Sequence, residues 1–268
     1  MQKTKAVLKK PLLISIRHSG CDFELHYDQY GDKSRQTILF IHGAGLTHTF
    51  SHQYNLKDKF HIIVPHLSGC GFESHKDFNF DEALGDILHM IDGMDDEKIY
   101  LLGCSLGAEL ALAVICARPD RIKKAALLSP WVHHSKSFKK MILVIINVVF
   151  GFTKWKWAVY LSMKYWGLRK ADRDDTIMSF KAMSRKNANA FITEWVEERH
   201  YENYKDLHTD MLVIYGDMEP RDIKKSADFL SSGNEDCVVE RWRLSHHDLP
   251  MKRWRRLNKR LYEFFGAD

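Results

Sequence analysis

Ser105 stands in the middle of Gly103-Cys104-Ser105-Leu106-Gly107, between a short apolar run, Ile99 to Leu102, and a stretch whose apolar residues (Leu106, Leu110, Ala113, Val114, Ala117) recur at helical spacing. An alkyl hydroxyl is a poor nucleophile at neutral pH, so it needs a neighbouring base and a site that receives an oxyanion. A strand that turns straight into a helix cramps the backbone of the middle residue, and flanking glycines leave room for the turn. Such a turn lifts the Ser105 hydroxyl clear and puts a helix N-terminus behind it, which favours developing negative charge. Cys104 is expected to pack, because the exposed position of the turn is the middle one.

Other groups could complete such a site. Asp217 and Glu219 lie in Gly216-Asp217-Met218-Glu219-Pro220, and histidine doublets occur at His133-His134 and His246-His247. His42-Gly43-Ala44-Gly45 follows an apolar strand. It is not a dinucleotide site, since Gly43-Ala44-Gly45-Leu46-Thr47-His48 lacks the third glycine. His48 and His52 share a helical face, but no carboxylate completes a His-Glu-x-x-His zinc pattern. No metal and no cofactor are expected.

The elements that must position these groups alternate. Strands are predicted over Leu12 to Arg17, Phe23 to Tyr27, Thr37 to Ile41, Phe60 to Val64, Ile99 to Leu102, Ala125 to Leu128, Met211 to Tyr215 and Val238 to Leu244. The first two flank a turn at Ser19-Gly20-Cys21-Asp22 and form a hairpin. Asp81 to Met94 is an amphipathic helix that Asp81 could cap, and further helices follow Ser105, surround Ile223 to Leu230 and close the chain. Strands alternating with helices imply a mostly parallel eight-stranded sheet with helices on both faces. Ligands in such sheets sit at the carboxyl ends of the strands, where His42-Gly43 and Ser105 fall. From Trp131 to Leu207 the alternation stops and the chain reads as helical, rich in Lys, Trp, Tyr, Met and Phe. That block is most economically a lid inserted after the sixth strand, giving a core of residues 1–130 and 208–268 and a lid of 131–207.

The 268 residues are 45% hydrophobic, enough for one sizeable core, and carry a formal charge of +5. Much of the excess is local, from Arg241 to Arg260. A solvated helix face explains it, because Trp254, Leu257, Leu261, Phe264 and Phe265 form the complementary apolar stripe; no nucleic-acid partner is expected. Five cysteines (21, 70, 104, 116, 237) make no CxxC pair and no even framework, and the short apolar run Leu12 to Ile16 does not fit a secretory segment. A reducing cytoplasm is therefore the default expectation. Met141 to Phe152, the longest apolar stretch, is too short for a span of about 20 helical residues. It is expected to be a buried or interfacial helix. Phe150, Phe152, Trp155, Trp157, Tyr160, Met163, Tyr165 and Trp166 favour an uncharged acyl or aryl group, and at least half of them are expected simply to pack on the sheet.

Over nearly its whole length the sequence resembles the α/β-hydrolase family. The likeness rests on His42-Gly43-Ala44-Gly45, the loop Gly69-Cys70-Gly71-Phe72-Glu73-Ser74, the Ser105 pentapeptide, Gly216-Asp217-Met218-Glu219-Pro220 and His246-His247-Asp248-Leu249-Pro250, each placed after a strand. The resemblance implies a catalytic set of Ser105, an acid and a histidine in that chain order. It puts the acid at Glu219, three residues past the glycine that ends the seventh strand, ahead of Asp217. It puts the base at His247 ahead of His246, which occupies a slot the family usually fills with glycine. The implied oxyanion donors are the backbone N–H groups of Ala44 and Leu106. Haloalkane dehalogenation is disfavoured by a serine at the elbow. The expected activity is hydrolysis of a small-molecule carboxylic ester through an acyl-enzyme. The alternatives are C–C, thioester or peptide hydrolysis, a lyase, or a receptor that binds without turnover. His133-His134 is expected to face substrate or solvent. A weak contact of the lid with a membrane surface, through Lys154, Lys156 and Lys164, is a further expectation.

Overall fold

The structure is a computed structural model and describes residues 12–18 and 21–266. The turn residues Ser19 and Gly20, residues 1–11 and the last two residues lie outside the described residues.

Eight strands form one sheet: β1 (Leu12–His18), β2 (Cys21–Tyr30), β3 (Thr37–Ile41), β4 (His61–Pro65), β5 (Ile99–Cys104), β6 (Ile122–Leu128), β7 (Asp210–Gly216) and β8 (Cys237–Trp242). Their spatial order is β1-β2-β4-β3-β5-β6-β7-β8. β1 pairs antiparallel with β2, and β2 antiparallel with β4; every later pairing is parallel. Central strands are buried on both faces, which is why β3 and β5 read as unbroken apolar runs rather than alternating ones.

The strands sort their side chains by parity. Leu39, Ile41, Leu101, Leu127 and Val213 point to one face and pack with helices α1 (Phe80–Asp92), α2 (Leu106–Ala117) and, later in the chain, the helix at Arg221–Gly233. Ile38, Phe40, Leu102, Ala126 and Ile214 point to the other, where Leu257, Leu261 and Phe265 of the last helix cover them. Helices on both faces follow directly.

Two local expectations are corrected. Helix α1 begins one residue earlier, capped by Asn79, whose side chain accepts the Glu82 N–H at 3.1 Å. Asp81 instead receives Arg199 and His200. β8 stops at Trp242, because Leu244 has a positive φ of 51° that breaks the extended chain.

Between β6 and β7 come four helices: α3 (Lys136–Val149), α4 (Lys156–Trp166), α5 (Arg173–Ala182) and α6 (Arg185–Thr193). After β7 follow α7 (Arg221–Gly233), α8 (Leu249–Lys252) and α9 (Trp254–Phe265). The inserted helices meet the core over the strand ends. Val159, Met163, Leu168 and Ile177 pack with Leu46 and Met251, while Met183 and Phe191 lie against Gly45.

Candidate active site

The turn between β5 and α2 is as tight as the sequence requires. Ser105 has φ 55° and ψ −122°, a conformation that costs a non-glycine residue on the order of 1–3 kcal/mol. It is held there by backbone bonds: Ser105 N–H donates to Leu128 O at 2.9 Å, and Ser105 O accepts from Ala108 N–H at 2.8 Å. A Cβ at Gly107 would lie 2.0 Å from the carbonyl oxygen of Ile41, and one at Gly103 would lie 2.4 Å from that of Gly107. Only glycine lets α2 start this close to β3. The two glycines are thus fixed by packing, and the strain falls on the serine between them.

The loop after β3 runs beside the turn, so that a Cβ built on Gly43 would sit 3.8 Å from Ser105 Cβ. His42 is wholly buried; Leu67 N–H donates to its Nε2 at 3.2 Å, so Nδ1 carries the proton and donates to Gly43 O at 2.8 Å. Burial pushes this imidazole down to about 3, keeping it neutral and structural. Gly43 N–H donates to Thr49 Oγ1 at 3.1 Å, and that hydroxyl donates to Leu46 O at 2.6 Å. Among the described residues no acceptor takes the N–H of Ala44. Leu106 is the first residue of α2, where an N–H has no partner within the helix.

Glu219 and His247 meet in space. His247 Nδ1 lies 2.8 Å from Glu219 Oε2. The other carboxylate oxygen accepts from Gly216 N–H at 2.7 Å and from Ser129 Oγ at 2.8 Å. The Glu219 side chain is 1% exposed, whereas the His247 ring is 49% exposed. Desolvation works against a charged imidazole here, but the hydrogen bond and negative charge of Glu219 outweigh it, with Asp248 adding to them, and hold His247 above its ordinary value. Asp217 does different work: its Oδ1 accepts from Ser245 N–H at 3.4 Å and its N–H donates to Trp242 O at 2.9 Å, tying the loops after β7 and β8 together.

These pieces open into one cavity of about 710 Å³. Ser105, His246 and His247 line it, with Ala44 and Gly43 beside them. The rest of the wall is largely apolar and comes from both the core (Leu46, Met251) and the insertion, including Ile146, Phe150, Met163 and Phe180. Among the described residues the Ser105 hydroxyl is hydrogen-bonded to no side chain, His247 included; the two groups share the cavity wall.

A family model described as the alpha/beta hydrolase fold matches residues 36–156. Among solved structures, the bromoperoxidase from Bacillus anthracis superposes with a TM-score of 0.75 at 15% identity, covering 95% of this chain and 100% of its own. The chain is an α/β-hydrolase-fold protein. Curated relatives include the lipase LipV of Mycobacterium tuberculosis, 26% identical over 114 residues (41% of this chain, 42% of the relative). A 2-hydroxy-6-oxononadienedioate/2-hydroxy-6-oxononatrienedioate hydrolase of Pseudomonas putida is 24% identical over 128 residues, 43% of each chain. The chain thus spans less than half the length of these curated relatives.

The structure departs from the sequence reading at three places. His134 does not face the cavity; its ring is stacked on Trp195 at 4.7 Å, and Nε2 lies 3.5 Å from the buried carboxylate of Glu109. Phe150 and Met163 pack as expected, but Phe152, Trp155, Trp157, Tyr160, Tyr165 and Trp166 are exposed. Ser129 is a site residue that the sequence reading missed: its hydroxyl holds the Glu219 carboxylate, and its backbone, at φ 50°, is strained like that of Ser105. A small polar residue at the carboxyl end of the strand neighbouring the elbow strand is the signal that could have marked it.

Proposed function

We propose that the protein is a serine hydrolase of carboxylic esters with an uncharged apolar acyl or aryl group. The observation that carries this reading is the buried Glu219 carboxylate bonded at 2.8 Å to His247, on the wall of the cavity that Ser105 also lines. With Nδ1 engaged by Glu219, Nε2 of the ring is left to act as base. On substrate binding His247 takes the Ser105 proton and Oγ attacks the ester carbonyl. Catalytic hydrogen bonds of this kind commonly tighten only in the substrate complex. The N–H groups of Ala44 and Leu106 receive the oxyanion. As the tetrahedral intermediate collapses, the carbon–oxygen bond to the alcohol breaks and the imidazolium returns the proton to the departing alkoxide. Water, deprotonated by the same imidazole, then attacks the acyl-enzyme, and the carboxylic acid leaves with Ser105 restored. Ser129 is a positioning residue that orients the acid, and the insertion acts as a lid that selects what enters.

Wall chemistry favours esters over the acidic substrates of some relatives. No lysine or arginine lines the cavity among the described residues, so the dioate named for the Pseudomonas relative would bring two carboxylates with no cationic partner. A cavity of this size suits an apolar group of moderate length. A panel of p-nitrophenyl esters of increasing acyl length tests the reading. Wild-type protein is expected to release p-nitrophenol with a preference for medium chains, and Ser105→Ala to lose at least about 1,000-fold in kcat. Equal rates for Ser105→Ala and wild type, or no turnover of any ester, would overturn it.

A further inference from the structure

Helix α3 has an apolar sequence and no buried residue. One side, Phe138, Ile142 and Ile146, rests half-buried against the core. The opposite side, Met141, Val144, Ile145 and Val148, is exposed, Val148 over 71% of its surface. Past a bend of 115°, α4 continues the pattern with Trp157 at 60%, Leu161 at 54% and Tyr165 at 73%. Of 19 large apolar side chains exposed among the described residues, 12 lie between 141 and 166. A patch that concentrated marks a docking surface rather than ordinary scatter.

Charge says what docks there. From residue 121 to residue 171 the chain contains no Asp or Glu, while Lys136, Lys140, Lys156 and Lys164 are exposed around the apolar residues. Among the described residues none of these four lysines is ion-paired. A second copy docking by two-fold symmetry would bring lysines against lysines with no acid of this segment between them. An anionic bilayer surface meets every feature: apolar side chains enter the acyl boundary, Trp and Tyr prefer the headgroup level, and lysines pair with lipid phosphates. Among the described residues no single helix is long and apolar enough to cross a membrane, and α3 with α4 matches a span in length and composition only as a pair bent by 115°; Phe138, Ile142 and Ile146 keep α3 on the core, as a contact at the bilayer surface requires.

We propose that the α3–α4 face docks this protein onto an anionic phospholipid surface, with the mouth of the cavity turned towards the lipid. Val149, Phe152 and Trp166 belong both to the exposed face and to the cavity wall, so the two surfaces are continuous. On the ester-hydrolase reading, which this part rests on, the apolar acyl group reaches Ser105 from the bilayer.

Flotation of the full chain with phosphatidylcholine vesicles, with and without phosphatidylglycerol, tests docking without any turnover. The protein is expected to float with phosphatidylglycerol vesicles, to float poorly with phosphatidylcholine alone, and to be released by high salt. Val144→Asp/Val148→Asp, at exposed positions outside the cavity wall, abolishes flotation with an unchanged melting temperature. Replacing the four lysines by glutamate weakens binding by at least about fivefold for each lysine. No flotation of wild type, flotation unaltered in the aspartate variant, or a lipid-free dimer that this variant dissociates would each overturn docking. Activity then separates the two readings. The aspartate variant should hydrolyse a soluble short-chain ester as wild type does, while losing at least about tenfold on a long-chain ester embedded in phosphatidylglycerol vesicles. A wild type that floats but cleaves neither ester would remove the hydrolase reading and leave docking standing; equal cleavage of the embedded ester by both proteins would remove the bilayer route.

Discussion

Helices α2 and α3 are of similar length and both apolar, and they end up in opposite surroundings. In α2, 11 of 12 residues are buried, Glu109 among them, because a parallel sheet lies beneath it and neighbouring elements close its other sides. In α3 none is buried, since only one side has protein to lean on. Hydrophobicity of a segment states what it would gain by leaving water; it does not state whether the chain itself supplies the cover. In the elbow region the fold supplies it, and precision follows: Ser105, Gly107 and Glu219 are each held by named contacts. In the insertion the chain supplies no such cover, and the apolar side of α3 is left exposed.

The sharpest way to break that contrast is glycine against glycine. Gly107→Ala would place a methyl 2.0 Å from a backbone oxygen, whereas a Cβ at Gly151 meets nothing within 4 Å. The first is expected to lower the melting temperature severely or prevent folding, the second to leave it unchanged; thermal melts followed by circular dichroism read both. Truncation gives the next largest difference. Leu110→Ala, fully buried in α2, is expected to cost about 2–5 kcal/mol in urea titrations, and Val148→Ala in α3 within about 0.5 kcal/mol. Equal costs would mean that α3 is covered after all.

Electrostatics separates the regions next. Because Glu219 favours the imidazolium, His247 must lose a proton at higher pH than an ordinary histidine before it can act as base. On the proposed function, the acid limb of kcat/KM on a soluble ester is therefore expected above the ordinary imidazole value, with activity falling as pH drops through it. Glu219→Gln removes the charge, so the limb should move to lower pH while kcat falls; Asp217→Asn should move neither. A smaller effect is expected from Ser129→Ala, which removes one hydrogen bond to the Glu219 carboxylate. A loss of about tenfold in kcat is expected, with KM retained.

Sequence patterns revealed the sheet and its two helical faces because short apolar runs bounded by turns, such as Ile38 to Ile41 and Leu101 to Leu102, alternate with helical stretches, and a parallel sheet covered on both faces needs strands of that kind. The elbow was equally legible, since steric contact dictates both glycines. The resemblance to the α/β-hydrolase family favoured position 219 over 217, and it is Glu219 that meets His247, while Asp217 joins two loops. The role of Ser129 stayed hidden because it depends on a contact 90 residues along the chain. His134 was misjudged for a related reason. Trp131 is a chain neighbour, but Trp195 and Glu109 come from distant stretches that no local pattern connects. The exposure of α3 was illegible for the reason given above, as an apolar run looks the same whether or not something lies on it.

Reactivity of a single oxygen tests the central claim most directly. Purified protein is treated with a fluorophosphonate, and the modified residue and its stoichiometry are read by mass spectrometry for wild type, His247→Ala and Glu219→Gln. Stoichiometric modification of Ser105 in wild type, slowed by at least about 100-fold in His247→Ala and to a lesser degree in Glu219→Gln, is the predicted result. An unlabelled Ser105, or labelling that proceeds as fast without the imidazole at 247, would contradict the account.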